Sequence, residues 1–332
     1  DLGGANVREV TYSHDGSAMY CILSKGNVRS IVRLDADTGQ SVWRHSADVG
    51  TFRAIAVDPR DELVAVVRNN GKDPIEIRDA GTGAVVSEAG TDPGAFNGAR
   101  YLRSLWFVDG GSGVVGLGSG GDIVHSDWRS GETRQIGFEF AEDEGYSAVY
   151  KFAISEELDV LAVGATSGFI RFVRFGDREF APSLGKPGYM PRRPSLAGFP
   201  LDAVAFAEDR NEFLLVGRWS SAIEDPPRPI WRYPDLIRFK IDGVTIAEDE
   251  RVELPFQASR MYYMDGQDAV VFVSGGREPV IRVWCLKSMS LLGSTRMDKC
   301  FQTAVAYNSA GSEIAIGTRE GRIVRFGLAG EE

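Results

Sequence analysis

Histidine, cysteine and lysine are scarce in this chain, and each scarcity removes a class of chemistry. The 3 histidines, His14, His45 and His125, are spread so widely that a histidine triad or a histidine-rich metal site is not expected. The 3 cysteines, Cys21, Cys285 and Cys300, form no C-x-x-C pair and no zinc spacing. They read as buried free thiols in a reducing compartment, so a cytoplasmic location is expected, with an upstream signal left open because the chain starts at Asp1 rather than Met. No apolar run approaches the ~18 residues of a membrane helix, so no membrane insertion is expected. Helix-forming runs are equally scarce.

Positive charge is outweighed. Against 37 Lys and Arg stand 47 Asp and Glu, a net charge of −10, and general nucleic-acid binding needs the opposite balance. Arginine outnumbers lysine greatly, which fits a bacterial source. Two segments, GSGVVG (111–116) and GLGSGG (116–121), match G-x-G-x-x-G. Both lie in a hairpin rather than at the start of a helix, so the dinucleotide reading fails. G-x-x-x-x-G-K-[ST] and G-x-S-x-G do not occur.

What is present is glycine, 39 residues of it, and short Val- and Ile-rich runs separated by turn residues. The stretch Thr51–Ser87 reads as four strands: FRAIAV, ELVAVVR, IEIRD and AVVS, broken at DPRD, NNGKDP and AGTG. Seven such units follow one another, with first strands near residues 7, 52, 102, 149, 201, 259 and 301. A four-stranded unit repeated at roughly 40 to 60 residues predicts an all-β fold, a seven-bladed β-propeller of four-stranded antiparallel blades over residues 1–332. The last unit stops after its third strand, and DLGGAN at the start is a poor strand. The chain is therefore read as part of a longer protein or complex, with a closing strand expected upstream if the ring is to close fully.

Antiparallel order places the turns 1–2 and 3–4 of every unit at one end. The 2–3 loops and the connectors to the next unit lie at the other. The turn end is expected to be architectural. Its Asp35, Asp37 and Gly39 only faintly resemble a calcium loop. The loop end carries every long insertion: 88–101, 138–147, 176–200 with Arg193, and 218–235 with Arg218, Trp219, Arg228, Trp231, Arg232 and Tyr233. Aromatic and arginine side chains of that kind anchor interfaces, or else fold back to cap their own loop. The first-strand mouths at this end read Arg8, Arg53, Arg103, Tyr150, Asp202, Ser259 and Gln302. Three consecutive arginines form a basic arc able to receive a carboxylate or phosphate, unless each pairs with a loop acid such as Asp92 or Asp143.

The repeat resembles the WD40, YVTN and quinoprotein-like propeller superfamily. The motifs are degenerate: Val283-Trp284-Cys285 stands where WD40 repeats have Trp-Asp, and no Gly-His pair occurs. LDADTGQSVWRHSADVG (34–50) is similar to the repeat of pyrroloquinoline-quinone enzymes and outer-membrane assembly propellers. It occurs once, so no cofactor is expected from it. The long insertions gathered at the loop end and the missing catalytic constellation point to a non-catalytic interaction, sensor or scaffold module that binds a protein, a peptide or a neighbouring domain there through Arg8, Arg53, Arg103, Tyr150 and the insertion residues. The alternative is a propeller enzyme of lactonase, lyase or quinoprotein type with a metal or cofactor in a central channel. Only one axial acid, Asp202, speaks for that.

Overall fold

The computed structural model describes residues 2–47, 50–69, 75–89, 102–118, 123–136, 149–155, 157–158, 160–165, 170–174, 201–217, 234–242, 245–275, 278–297 and 301–328. Among the described residues it is all-β, with seven antiparallel sheets and single 3₁₀ turns at Asp109–Gly111 and Glu208–Arg210. Among the described residues no helix is long and apolar enough to cross a membrane.

The sheets follow the repeat. Sheet 1 is β1 (Asn6–Tyr12), β2 (Ala18–Lys25), β3 (Val28–Asp35) and β4 (Ser41–Ser46). Sheet 2 is β5 (Thr51–Val57), β6 (Leu63–Asn69), β7 (Ile75–Asp79) and β8 (Val85–Ala89). Sheet 3 is β9 (Leu102–Val108), β10 (Gly113–Gly118), β11 (Ile123–Asp127) and β12 (Glu132–Ile136). Sheet 4 has β13 (Val149–Ser155), β14 (Val160–Ala165) and β15 (Ile170–Arg174). Sheet 5 is β16 (Leu201–Ala207), β17 (Glu212–Gly217), β18 (Asp235–Asp242) and β19 (Thr245–Glu253). Sheet 6 is β20 (Arg260–Met264), β21 (Ala269–Val273), β22 (Val280–Cys285) and β23 (Ser290–Arg296). Sheet 7 has β24 (Gln302–Asn308), β25 (Glu313–Thr318) and β26 (Ile323–Gly327).

The chain forms two compact units. One holds Asp1–Phe138, Gly276–Glu278 and Asp298–Glu332, and the other Glu139–Gly275 and Pro279–Met297. In the first unit, sheets 7, 1, 2 and 3 pack in that order through adjacent first strands. In the second, sheets 4, 5 and 6 do the same.

Why the second strands read as unbroken apolar runs is plain from their packing. Side chains alternate across a strand, and here both faces are covered. On β2, Met19, Cys21 and Leu23 pack against sheet 7, whereas Tyr20 and Ile22 pack against sheet 2. On β6, Val64 and Val66 face sheet 1 while Ala65 and Val67 face sheet 3. On β17, Phe213 and Leu215 face sheet 4 while Leu214 and Val216 face sheet 6. Each fully buried Ile, Leu or Phe contributes about 1.5–3 kcal/mol. Small residues bring the layers close. A Cβ on Gly317 of β25 would stand 2.5 Å from Val7 of β1.

The turn end is held by side-chain bonds to the backbone, as its residue types imply. In DADTG and DAGTG the same pattern recurs: Asp35 Oδ1 accepts from the Thr38 amide at 2.8 Å and its hydroxyl at 2.7 Å, and Asp79 Oδ1 accepts from both Thr82 groups at 2.7 Å. These bonds make turns rather than a calcium loop. Neighbouring sheets are laced together here. Asp61 accepts from the amides of His14 and Asp15 at 2.6 and 2.9 Å, and Arg60 donates to the Gly110 carbonyl at 2.7 Å.

The start of the chain does not lie along β26. The Leu2 amide donates to the Gly321 carbonyl at 3.0 Å, and Ala5 is buried against the β25–β26 turn. Gly3 and Gly4, with φ of 69° and 70°, supply the bends that glycine alone takes without strain. Sheet 7 thus has three strands among the described residues, and its Arg325 reaches sheet 1 directly.

Candidate functional site

The site is built on irregularities of the first strands. In six sheets the pairing of first and second strand slips near the start of the first strand, at the loop end. The slip leaves Arg8, Arg53 with Ala54, Arg103, Tyr150, Asp202 and Thr303 outside the regular ladder. A bulge bends its strand and re-aims the extra side chain, which is why bulges gather at binding sites. In sheet 7 the bulged residue is Thr303 rather than the expected Gln302, and its hydroxyl donates to the Val7 and Gly317 carbonyls. In sheet 6 the β20–β21 ladder is regular, and Ser259, just before it, donates its hydroxyl to the Val273 carbonyl at 2.9 Å.

Arg8 and Arg53 act on a third arginine that the sequence reading did not single out. Arg29 stands at the start of β3, half-buried, and donates through Nη1 to the Phe52 carbonyl at 3.0 Å. Its guanidinium is held below the ordinary arginine value by burial first, then by the positive charges of Arg8 and Arg53. The charges of Arg8 on β1 and Arg53 on β5 thus reach Arg29 on β3 in the first unit. Arg8 is exposed and Arg53 half-buried. Arg103 occupies the matching bulge of β9 and is exposed. Lys25 and the turn residues Arg319 and Arg322 are exposed at the same end.

The opposite end is acidic. In the first unit its turns carry Asp15, Asp37, Asp61, Asp79, Asp109 and Asp127. In the second, burial first and then the charges of Asp209 and Glu157 raise the carboxyl of Asp265, so acids from three turns share one field. Among the described residues, no three His, Cys, Asp or Glu side chains form a group that could hold a metal ion.

The histidines are held apart. His14 is exposed in the β1–β2 turn, His45 on β4 meets the Thr82 carbonyl at 3.3 Å, and His125 on β11 meets Asp109 at 3.2 Å. Cys21 is buried and free, its thiol pushed up by burial, and half-buried Cys285 accepts through its sulfur from the Ser288 amide at 3.4 Å. The hairpin placement of GSGVVG holds, since Gly113–Gly118 is β10.

Tyr150 sits at the β13 bulge, with its side chain outside what the structure describes. Arg193, Arg218, Trp219, Arg228, Trp231, Arg232 and Tyr233 lie outside the described residues, as do Asp92, Asp143 and Cys300. No family model matches the chain, and no curated protein matches it either.

Proposed function

We propose that the chain is a seven-bladed β-propeller related to the WD40 and YVTN group, and that it works as a non-catalytic interaction or scaffold module. Its loop end would bind an acidic protein segment or a neighbouring domain. A cytoplasmic setting fits the free, buried thiol of Cys21. The propeller reading is supported by seven successive sheets, packed first strand beside first strand within each unit.

One observation carries the binding reading: Arg8 and Arg53 stand at the bulges of neighbouring first strands, and Arg29, bonded to the Phe52 carbonyl, feels the charge of both. Like charges brought together cost stability, and an acidic partner relieves that cost. Among the described residues of that unit, the turn acids Asp15, Asp37, Asp61, Asp79, Asp109 and Asp127 stand at the other end.

The test is a synthetic peptide array of graded Asp and Glu content, probed with the purified chain. Acidic peptides should be retained, less so as salt rises. Arg8→Glu and Arg53→Glu should each abolish retention. Retention that ignores peptide charge, or survives both reversals, would remove the reading.

A further inference from the structure

We infer that Arg282 and Trp284 on β22 form a receiving site for a carboxylate group, supplied by an acidic side chain of a partner protein. The site lies in the second unit and stands on a different observation from the arginines of the first. The two residues are two apart on one strand, so their side chains share a face. That face packs on sheet 5, where Trp284 is buried with Leu214, Val216 and Leu236. Both residues border one ring. The Arg282 guanidinium carbon lies 4.5 Å from the centre of the Phe256 ring, and the Trp284 ring meets the same ring edge-on at 5.9 Å.

Their donors lack acceptors. Trp284 is 4% exposed, and its Nε1 has no hydrogen-bond partner. Arg282 is half-buried, and its Nη1 is buried without a partner. Among the described residues no carboxylate pairs with this guanidinium, and burial holds it below the ordinary arginine value. Buried donors and buried charges are ordinarily paired, because a lone one gives up its hydration and gains nothing in exchange. One guanidinium and one indole N–H match a carboxylate, which carries a single charge on two accepting oxygens.

The way in runs beside Phe256. That residue belongs to the connector from β19 to β20, at the loop end. The connector is held by the Leu254 amide, which donates to the Pro234 carbonyl at 2.8 Å, and by the Ser259 amide, which donates to the Val273 carbonyl at 2.9 Å. Between those points, among the described residues, 255–258 make no hydrogen bond. The ring can therefore give way to an entering side chain without a hydrogen bond being broken.

The experiment records the indole N–H signals of the full chain by heteronuclear NMR, with that of Trp284 assigned by its loss in Trp284→Phe. The titrant is acetyl-Gly-Ala-Glu-Ala-Gly-amide, whose only carboxylate is the glutamate side chain. Its glutamine version and acetate are titrated beside it. The glutamate peptide should move the Trp284 signal saturably, and the glutamine peptide should not. Arg282→Gln should abolish the shift, and Arg282→Lys, which keeps the charge but not the fork, should weaken binding about tenfold. Circular dichroism checks that each variant keeps its fold. Arg8→Glu and Arg53→Glu should leave the Trp284 shift unchanged, so failure of this site and failure of the first-unit reading are told apart. Acetate binding as tightly as the peptide would keep the carboxylate and overturn a partner side chain as its source. A Trp284 signal unmoved by the glutamate peptide, moved equally by both peptides, or still moved in Arg282→Gln would overturn the site.

Discussion

The Arg325 guanidinium on β26 donates through Nη1 to the carbonyl oxygen of Ala36, in the β3–β4 turn of the next sheet. The matching carbonyl of sheet 2, that of Ala80, accepts instead from Trp43 Nε1 of β4 at 3.0 Å. An arginine on a third strand does in sheet 7 what a fourth-strand tryptophan does in sheet 1. The same guanidinium pairs with Glu313 at 2.8 Å.

Arg325→Ala therefore orphans a buried carbonyl and strips Glu313 of its cation. The expected loss is about 1–3 kcal/mol. Urea unfolding checks it, as a lower midpoint with an unchanged slope. A midpoint equal to the parent would show that water satisfies Ala36 without cost.

Glu76 on β7 is fully buried between two arginines, Arg68 Nε at 2.7 Å and Arg78 Nε at 3.0 Å. Arg78 also donates to the Gly83 carbonyl at 2.7 Å. Glu76→Gln leaves buried positive charge without its counter-charge, and a loss of about 3–5 kcal/mol is expected. The pair Glu76→Leu with Arg78→Met should lose less than the single change. A double-mutant cycle reads the difference, and strict additivity would contradict the coupling.

At the turn end, Asp79 is held below its ordinary 3.8 by the Thr82 hydroxyl first and the Thr82 amide next. A depressed carboxylate stabilises the fold above its unfolded value, and the benefit disappears as pH falls through the native value. Thr82→Val should be less stable than the parent at pH 7. That deficit should close below pH 3.8, as Asp79 protonates in both proteins. Thermal melts between pH 7 and 2, with NMR titration of Asp79, check both halves.

Asp265 has the opposite sign. Burial, Asp209 and Glu157 raise its carboxyl above 3.8, so its ionisation works against the fold at neutral pH. Asp265→Asn should melt higher than the parent at pH 7, and the gain should vanish below pH 3.8. A gain that persists in acid would point to packing rather than charge.

Strand by strand, the fold was legible because the second strands bury both faces. ELVAVVR could be nothing but a core strand, and β6 spans Leu63–Asn69. The bulges were not legible. A slip signalled by glycine can be read from sequence, but here the extra residue is Arg, Tyr, Asp or Thr. That is why Gln302 was expected where Thr303 stands. Arg29 was missed for a related reason. Its place in the sequence marks only the start of a third strand, and pairing across two sheets is what brings it to Arg8 and Arg53. The glycines of DLGGAN argued correctly against a strand, yet gave no hint that the arm would dock on the β25–β26 turn.

The bond from Thr303 to the Val7 carbonyl joins residues 296 apart, and that from Tyr12 to Glu313 joins residues 301 apart. A ribosome adding about 5–20 residues per second makes β1 about 15–60 s before its neighbour β24 exists. Through that interval Val7, Val10 and Tyr12 have one face without its cover. Newly made chains are therefore open to proteases and to mispairing at β1. A chaperone that shields β1 until β24 emerges would raise the yield of folded protein more than one acting on the middle sheets.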